Sequence, residues 1–426
     1  MATGTLVDHS LGLVLEAAWD TAKAPDHFYE WLETSGMDLD PNVINAKGLR
    51  VGSRFPRQSR RVGLVPKPSG KLQFEVASKG FGLPLQCAFG TAVSTNVSGA
   101  LYQQLFTATT TGSLLPTFTA TEGIVEAGGT IDAYTWRGCT VKTAELQMPT
   151  NGLMTLKLDV DARHMHATRA VSDGVTTSSS PTVTSATGAF AGNDVGAPIS
   201  GTGIPTNSYI GAVNSATSVG LSSSATVNTP VNATGAGTGV AITIGTAYVS
   251  PTYPASPSTF SSAVALSVPS VQIGGTFTAP TTTALATVSG GTTALSVKDF
   301  TLTLDNGLDT GRDVIGGRNQ ATTGTRSGKL KTTVEYDSTT GVMLRDAMIN
   351  QTPLALILTA QTPEYVTAGN PATVQIAVPV AQIDKGAIPQ PTLGKVVTTS
   401  VEWTVLDGLV AASALYAVIR TADTAI

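Results

Sequence analysis

Ser69-Gly70-Lys71-Leu72 recurs as Ser327-Gly328-Lys329-Leu330, and further on Pro149-Thr150-Asn151-Gly152 recurs, in the same order, as Pro391-Thr392-Leu393-Gly394. One four-residue match in a chain of 426 residues carries little weight. Two collinear matches with matching flanks point to one folding unit present twice. After the first tetrapeptide, Leu72, Phe74 and Val76 alternate with Lys71, Gln73 and Glu75. After the second, Leu330, Thr332, Val334 and Tyr336 alternate with Lys329, Lys331, Thr333 and Glu335. Period two with one polar face predicts a half-buried strand in both places.

Outward from these strands the flanks also agree. A short helix is expected after each. Pro84 suits the first turn of one and Gly90 its end, while Leu344, Ala347 and Met348 share a face of the other. Before each tetrapeptide lies another strand and then a long basic loop. Met37 and Leu39 alternate with Asp38 and Asp40, and the loop at 45–66 carries Arg50, Arg54, Phe55, Arg57, Arg60 and Arg61. Phe300, Leu302 and Leu304 alternate with Thr301, Thr303 and Asp305, and the loop at 306–326 carries Arg312, Arg318 and Arg326. Loops of this length without their own structure are usually functional. A last strand follows each Pro-Thr-x-Gly turn, at Met154–Val160 and at Val397–Val405. The expected fold is mainly β, with two tandem units at 25–166 and 292–408. An N-terminal arm (1–24), a connector (249–291) and a C-terminal arm (409–426) complete the chain. The apolar Leu409–Ile419 stretch is expected to pack on a neighbour.

Only 13% of residues are charged and the net charge is −4, so no global nucleic-acid-binding signature is present. Gly, Ser, Thr, Ala and Val dominate, which suits short strands and tight turns. Between Asp173 and Lys298 the only charged residue is Asp194. This insert, 167–248, is expected to be a small all-β domain cored by Ala189, Phe190, Val195, Ile199, Ile204 and Ile210. Tyr248–Pro257, with three prolines, reads as a semi-rigid linker. Asp8, Glu16 and Asp20 interrupt the first apolar stretch, so an export signal is not expected, and no run reaches the length of a membrane helix. Cys87 and Cys139 are expected to be buried free thiols.

Chemistry-bearing motifs are sparse. His164 and His166 would face one side of a strand without a third ligand, and a solvated strand end is expected there. Asp159 and Asp161 share a strand face, which reads as solvated carboxylates and not a glycosidase pair. Nucleophile-elbow, phosphate-loop and zinc-protease motifs are missing, so no catalytic residue, cofactor or metal is assigned. The arginine loop at 50–61 is the one dense charge cluster. With Phe55 as its only aromatic it suits subunit-to-subunit ion pairing better than base stacking, with Glu30, Glu33, Asp38 and Asp40 as acidic counterweights.

The order of several segments resembles the major tail tube proteins of long, non-contractile-tailed bacteriophages. These are Lys47-Gly48-Leu49-Arg50 with the Arg-rich stretch to Arg61-Val62-Gly63, Ser69–Val76, Lys79-Gly80-Phe81-Gly82-Leu83, Tyr134–Cys139 and Leu302–Leu308. The resemblance implies two tail-tube-type β-sandwich or half-barrel domains, each flanked by a short helix, whose sheets join those of neighbours into an inner barrel. It implies rings stacked into a tube that passes genomic DNA without binding it. With two units per chain, three chains would give a ring of pseudo-six-fold symmetry; a hexameric ring is the alternative. The arginines at 50, 54, 57, 60, 61, 312, 318 and 326, with Phe55, are expected at inter-ring or inter-subunit contacts. Further implied partners are a tape-measure protein, a tail terminator and a distal tail protein, with no membrane. The implied place is the virion tail, assembled in the host cytoplasm. A distal-tail or tail-tip component of the same fold and a β-rich surface adhesin are the competing expectations.

Overall fold

The structure, a computed structural model, describes residues 9–30, 32, 35–47, 55, 57–108, 114–125, 131–246, 248–255, 257–261, 270–294, 297–314, 317–389 and 396–426. The N-terminal unit runs β1 (Ser10–Leu15), β2 (His27–Tyr29), β3 (Gly36–Asp40), β4 (Val43–Asn45), β5 (Arg61–Gly63), β6 (Lys67–Glu75), α1 (Gly82–Phe89), β7 (Gly90–Ser98), β8 (Leu101–Ala108), β9 (Phe118–Val125), β10 (Ile131–Met148), β11 (Thr155–Asp161) and β12 (His164–Ala167). The insert holds β13 (Arg169–Thr176), β14 (Thr182–Thr184), β15 (Pro198–Gly201), β16 (Ser208–Ser215), β17 (Ser218–Ser222) and β18 (Gly237–Ile244). The C-terminal unit runs β19 (Ser270–Ile273), β20 (Thr276–Thr278), β21 (Thr287–Ser289), β22 (Thr292–Ala294), β23 (Val297–Asp305), β24 (Leu308–Asp309), β25 (Asp313–Val314), β26 (Gly317–Arg318), β27 (Thr322–Thr323), β28 (Ser327–Glu335), α2 (Thr340–Ile349), β29 (Leu354–Thr367), β30 (Asn370–Lys385), β31 (Thr398–Val405) and β32 (Tyr416–Thr421).

The chain is mainly β, as its alternating patterns predict. In the N-terminal unit one sheet has the order β3-β6-β11-β10. In the C-terminal unit the order is β23-β28-β31-β30. A second sheet has the order β2-β1-β9-β10-β12 in the first unit and β22-β19-β29-β30-β32 in the second. β10 and β30, of 18 and 16 residues, each belong to both sheets of their unit. A bulge between Trp136 and Cys139 bends β10 from one sheet into the other. Gly138 sits in it at φ +64°, where a Cβ would come within 2.8 Å of the Arg163 Cβ.

The repeated tetrapeptide has a packing reason. A Cβ on Gly70 would lie 2.4 Å from the Gly36 carbonyl oxygen and 2.6 Å from the Met37 Cα, and one on Gly328 would lie 2.9 Å from the Val405 Cβ. Each glycine thus lets a neighbouring strand come close. Leu72, Phe74, Leu156, Leu158, Leu302, Leu330, Val401 and Trp403 fill a single core shared by both units. Complete burial of side chains of this size contributes roughly 1.5–3 kcal/mol each. The Trp403 indole Nε1 donates to Thr332 Oγ1 at 3.0 Å, which satisfies its one polar atom inside the core.

The expected arms and linker are parts of this body. Residues 10–15 form the buried strand β1 between β2 and β9. Tyr416–Thr421 lies between β30 and β8 of its own chain, so the apolar C-terminal stretch covers its own chain's core. The connector is pinned as well: Met154 N–H donates to the Phe260 carbonyl at 2.7 Å, and Phe260 is fully buried. The insert closes as a small barrel, β13-β14-β17-β16-β15-β18. Phe190, Ile199, Ile204 and Ile210 are in its core, as expected, while Ala189 and Val195 face solvent. Both cysteines are buried and free, and burial pushes their thiols up. The second Pro-Thr-x-Gly turn lies outside the described residues.

Candidate assembly interface

The two units meet strand to strand. β10 pairs with β23 from Thr143↔Asp305 to Met148↔Phe300, which makes β3-β6-β11-β10-β23-β28-β31-β30 one continuous antiparallel sheet. Asn306 is fully buried at this seam. Its backbone N–H donates to Lys142 O at 2.9 Å, and its side-chain amide donates to Val141 O at 2.9 Å and Ala88 O at 3.2 Å. Arg326 donates to Ala88 O and Phe89 O at the end of α1, where helix carbonyls lack partners and favour a cation. Burial lowers its pKa to about 10, so it stays charged at neutral pH.

Arg318 is the anchor of the long loop at 306–326. It is 5% exposed and donates to both Asp161 carboxylate oxygens at 2.9 and 3.0 Å, to Ala162 O at 3.1 Å and to Thr310 O at 2.9 Å. Burial raises the Asp161 carboxyl and Arg318 opposes that rise. Arg312 donates to Gln320 O and braces the loop internally. Three of the predicted contact arginines therefore make bonds inside their own chain, two of them from the C-terminal loop to the N-terminal unit. In the loop at 45–66, the short ladder β4–β5 forms a stem. Phe55, Arg57, Arg60 and Arg61 are exposed there; Arg50 and Arg54 lie outside the described residues.

Among the described residues the long sheet has two open ends. β3 pairs only with β6 among the described residues. Its outward N–H groups meet carboxylates: Met37 N–H donates to Glu122 Oε1 at 3.2 Å and Leu39 N–H to Asp38 Oδ1 at 2.7 Å. Glu122, on β9, is 5% exposed. Burial raises its carboxyl to about 7, opposed by the Trp136 indole and the Met37 N–H. At the other end β31 covers one side of β30 to Lys385, while β29 covers the other side only to Ala381. On the β29 side, residues 382–388 have no paired strand among the described residues.

A buried polar cluster fixes the insert to the body. The Arg137 guanidinium, fully buried, donates to the carbonyls of Asp20, Val195 and Gly196, and its Nε lies 3.2 Å from Asp20 Oδ1. Arg163 joins Asp20 at 3.3 Å and lies over the Trp19 ring. His164 Nδ1 is 3.1 Å from both Asp20 oxygens, and His166 is 4% exposed. The expected solvated strand end is thus partly buried: His166 is buried and His164 half-buried, β12 pairs with β10, and the insert lies beside it. Burial lowers the pKa of both imidazoles. No cluster of three or more metal-ligating side chains occurs among the described residues. The sequence held no signal for Arg137, Asp20, Glu122 or Asn306 as site residues, because each acquires its role from strands distant in the chain.

The described residues form a mainly β body whose two units join edge to edge in one sheet. The family model for phage tail tube proteins matches residues 7–250, more than half of the chain, and the chain belongs to that family. It is a structural component of the virion that assembles with itself into a tube, and not an enzyme. The match takes in the N-terminal unit and the insert. No curated protein matches the chain.

Proposed function

We propose that the chain forms the tail tube of a long, non-contractile-tailed phage as stacked rings of three chains, each chain supplying two tube domains, and that the tube conducts DNA into the host. The observation that carries this reading is the β10–β23 seam, where two units of the same strand order sit side by side in one sheet. Ring closure removes the exposed edges of such a sheet. Stacking is head to tail, so it propagates. The exposed arginines Arg57, Arg60 and Arg61 serve the next ring, with Arg50 and Arg54 beside them in sequence. The assembly site is the host cytoplasm, and the partners are the tape-measure protein, tail terminator and distal tail protein.

The polar face of the long sheet suits the lumen. Three of its lysines stand opposite carboxylates across the ladders, Lys71 opposite Asp159, Lys157 opposite Glu145 and Lys331 opposite Glu402, while Lys329 stands between Thr303 and Thr404. Such placement lowers the positive charge offered to phosphate, and a cationic wall would retain DNA through counterion release. The insert projects outward. Negative-stain electron microscopy of the purified chain tests the reading. Hollow tubes with three insert projections per ring are expected. Six projections per ring would replace the trimer by a hexamer, and particles that never extend would favour a distal-tail role.

A further inference from the structure

We infer that the open edge of β3 receives residues 382–388 of a second copy of this chain, in the register of the internal seam, and that Glu122 and Asp38 hold that edge closed until the copy arrives. The inference rests on the ring reading above and adds to it the strands, the register and the blocking groups.

The register follows by superposing the two units through their ladders. Gly70 opposes both Met37 and Val160, and Gly328 opposes both Leu304 and Val405. Met37 therefore stands where Leu304 stands, and Asp38 where Asp305 stands. On the other side, Val160 opposes Val141 and Leu158 opposes Ala144, while Val405 opposes Ala381 and Trp403 opposes Ile383. Ile383 thus takes the place of Ala144. Because Ala144 pairs with Leu304 inside the chain, Ile383 of one copy pairs with Met37 of the next, and Gln382 with Asp38.

Three features fit a second copy as the occupant. First, the edge is continuous with an interface of the same form already made within the chain. Second, the donors that would bond the incoming strand are those capped by carboxylates, Met37 N–H by Glu122 and Leu39 N–H by Asp38. Leu39 stands where Asn306 stands, and the Asn306 N–H makes the cross-seam bond to Lys142 O. A carboxylate in place of a ladder carbonyl satisfies an edge donor while denying it to a wrong partner. Third, both open ends expose apolar side chains. Ile44, Val62 and Leu64 stand out on the β4–β5 stem, and Ile388, Leu406, Leu409 and Val410 stand out beside β30 and β31. Leu406 follows Val405 and occupies the position of Asp161, on which the C-terminal loop docks through Arg318. The outer seam would then join apolar surfaces where the inner one uses an ion pair.

Asp38→Cys with Gln382→Cys tests the register. In this position the two residues form a non-hydrogen-bonded pair, whose Cα separation of about 4.5 Å suits a disulfide. The internal equivalent, Thr143→Cys with Asp305→Cys, is the control and should cross-link within one chain. Mild oxidation of assembled Asp38→Cys/Gln382→Cys protein should give covalent multimers ending at three chains, with residues 38 and 382 joined in the peptide map. Tubes that assemble without that link would overturn the seam and leave the tube reading standing. A chain that neither assembles nor cross-links would overturn both. Glu122→Ala, folded by circular dichroism, should shorten the lag before tubes scatter light; an unchanged or longer lag would remove Glu122 from the seam.

Discussion

Replacement of Glu122 by Gln should make the chain more stable at alkaline pH and leave it almost unchanged in acid. In the folded chain this carboxyl titrates near 7, against 4.5 for the ordinary side chain. A carboxyl raised on folding binds more protons in the folded state. Its contribution is therefore complete below the unfolded value and is lost as pH climbs through the folded one. The loss between pH 5 and pH 8 amounts to roughly 2–3 kcal/mol, an upper figure for a group that can rehydrate by local opening. Gln keeps a carbonyl oxygen for the Met37 N–H and cannot ionise. His164 and His166 act in the opposite direction, since burial lowers both and their contribution fades as pH falls. They are common to both proteins, so the difference between the two unfolding curves isolates Glu122. Urea unfolding at pH 5 and pH 8, at a concentration too low for tubes, reads that difference. A gap that stays within about 0.5 kcal/mol at both pH values would mean that Glu122 is ionised in the folded chain, and the reasoning would fail.

Arg318→Met leaves Asp161 buried without its cation and should destabilise the chain by about 3 kcal/mol, part of it recovered by adding Asp161→Asn; unfolding midpoints of the three proteins decide it. Gly70→Ala pushes a methyl group against the Gly36 carbonyl and should cost about 1–3 kcal/mol, with faster amide exchange at Met37 and Leu39 as the local sign. Arg57→Glu with Arg61→Glu should weaken ring stacking, and tubes of normal length by electron microscopy would exclude these arginines from it. Deletion of 174–247 should give thinner tubes with a lower melting temperature, because the Arg137 guanidinium loses the Val195 and Gly196 carbonyls.

Much of the body was legible because its strands are local patterns. Lys71–Glu75 and Lys329–Glu335 alternate strictly, and the ladders place their apolar members in the core. α1 and α2 could be found from Pro84, Gly90 and the face of Leu344 and Ala347. What period two does not carry is the partner of a strand. Leu409–Ile419 reads as apolar whether it covers its own chain or a neighbour, and only the ladder to β30 and β8 decides. His164 and His166 look solvated in a segment dense with polar residues. His166 is in fact buried and His164 half-buried against Asp20, more than a hundred residues earlier, with the insert beside them. The loop arginines show the same limit: their charge was visible, whereas the intrachain carboxylate and carbonyls that hold Arg318 and Arg326 were not.

Two units in one chain change the problem that ring assembly has to solve. In a ring of identical single units every seam has the same chemistry, and each forms by collision of separate molecules. In the proposed ring every second seam would lie within one chain and be preformed, held by the buried Asn306 and the Arg318–Asp161 pair. The ordering of that seam is part of folding, so its conformational cost is met once, within the chain. The remaining seams would be free to carry different side chains, and the proposed one would set the exposed Ile388, Leu406 and Leu409 against Ile44, Val62 and Leu64. A surface that is apolar on both partners gains strength from burial without the strict geometry that a buried ion pair demands. It would also be prone to wrong pairing in the free chain. That hazard gives the carboxylate caps on β3 a purpose that neither core packing nor the lumen requires.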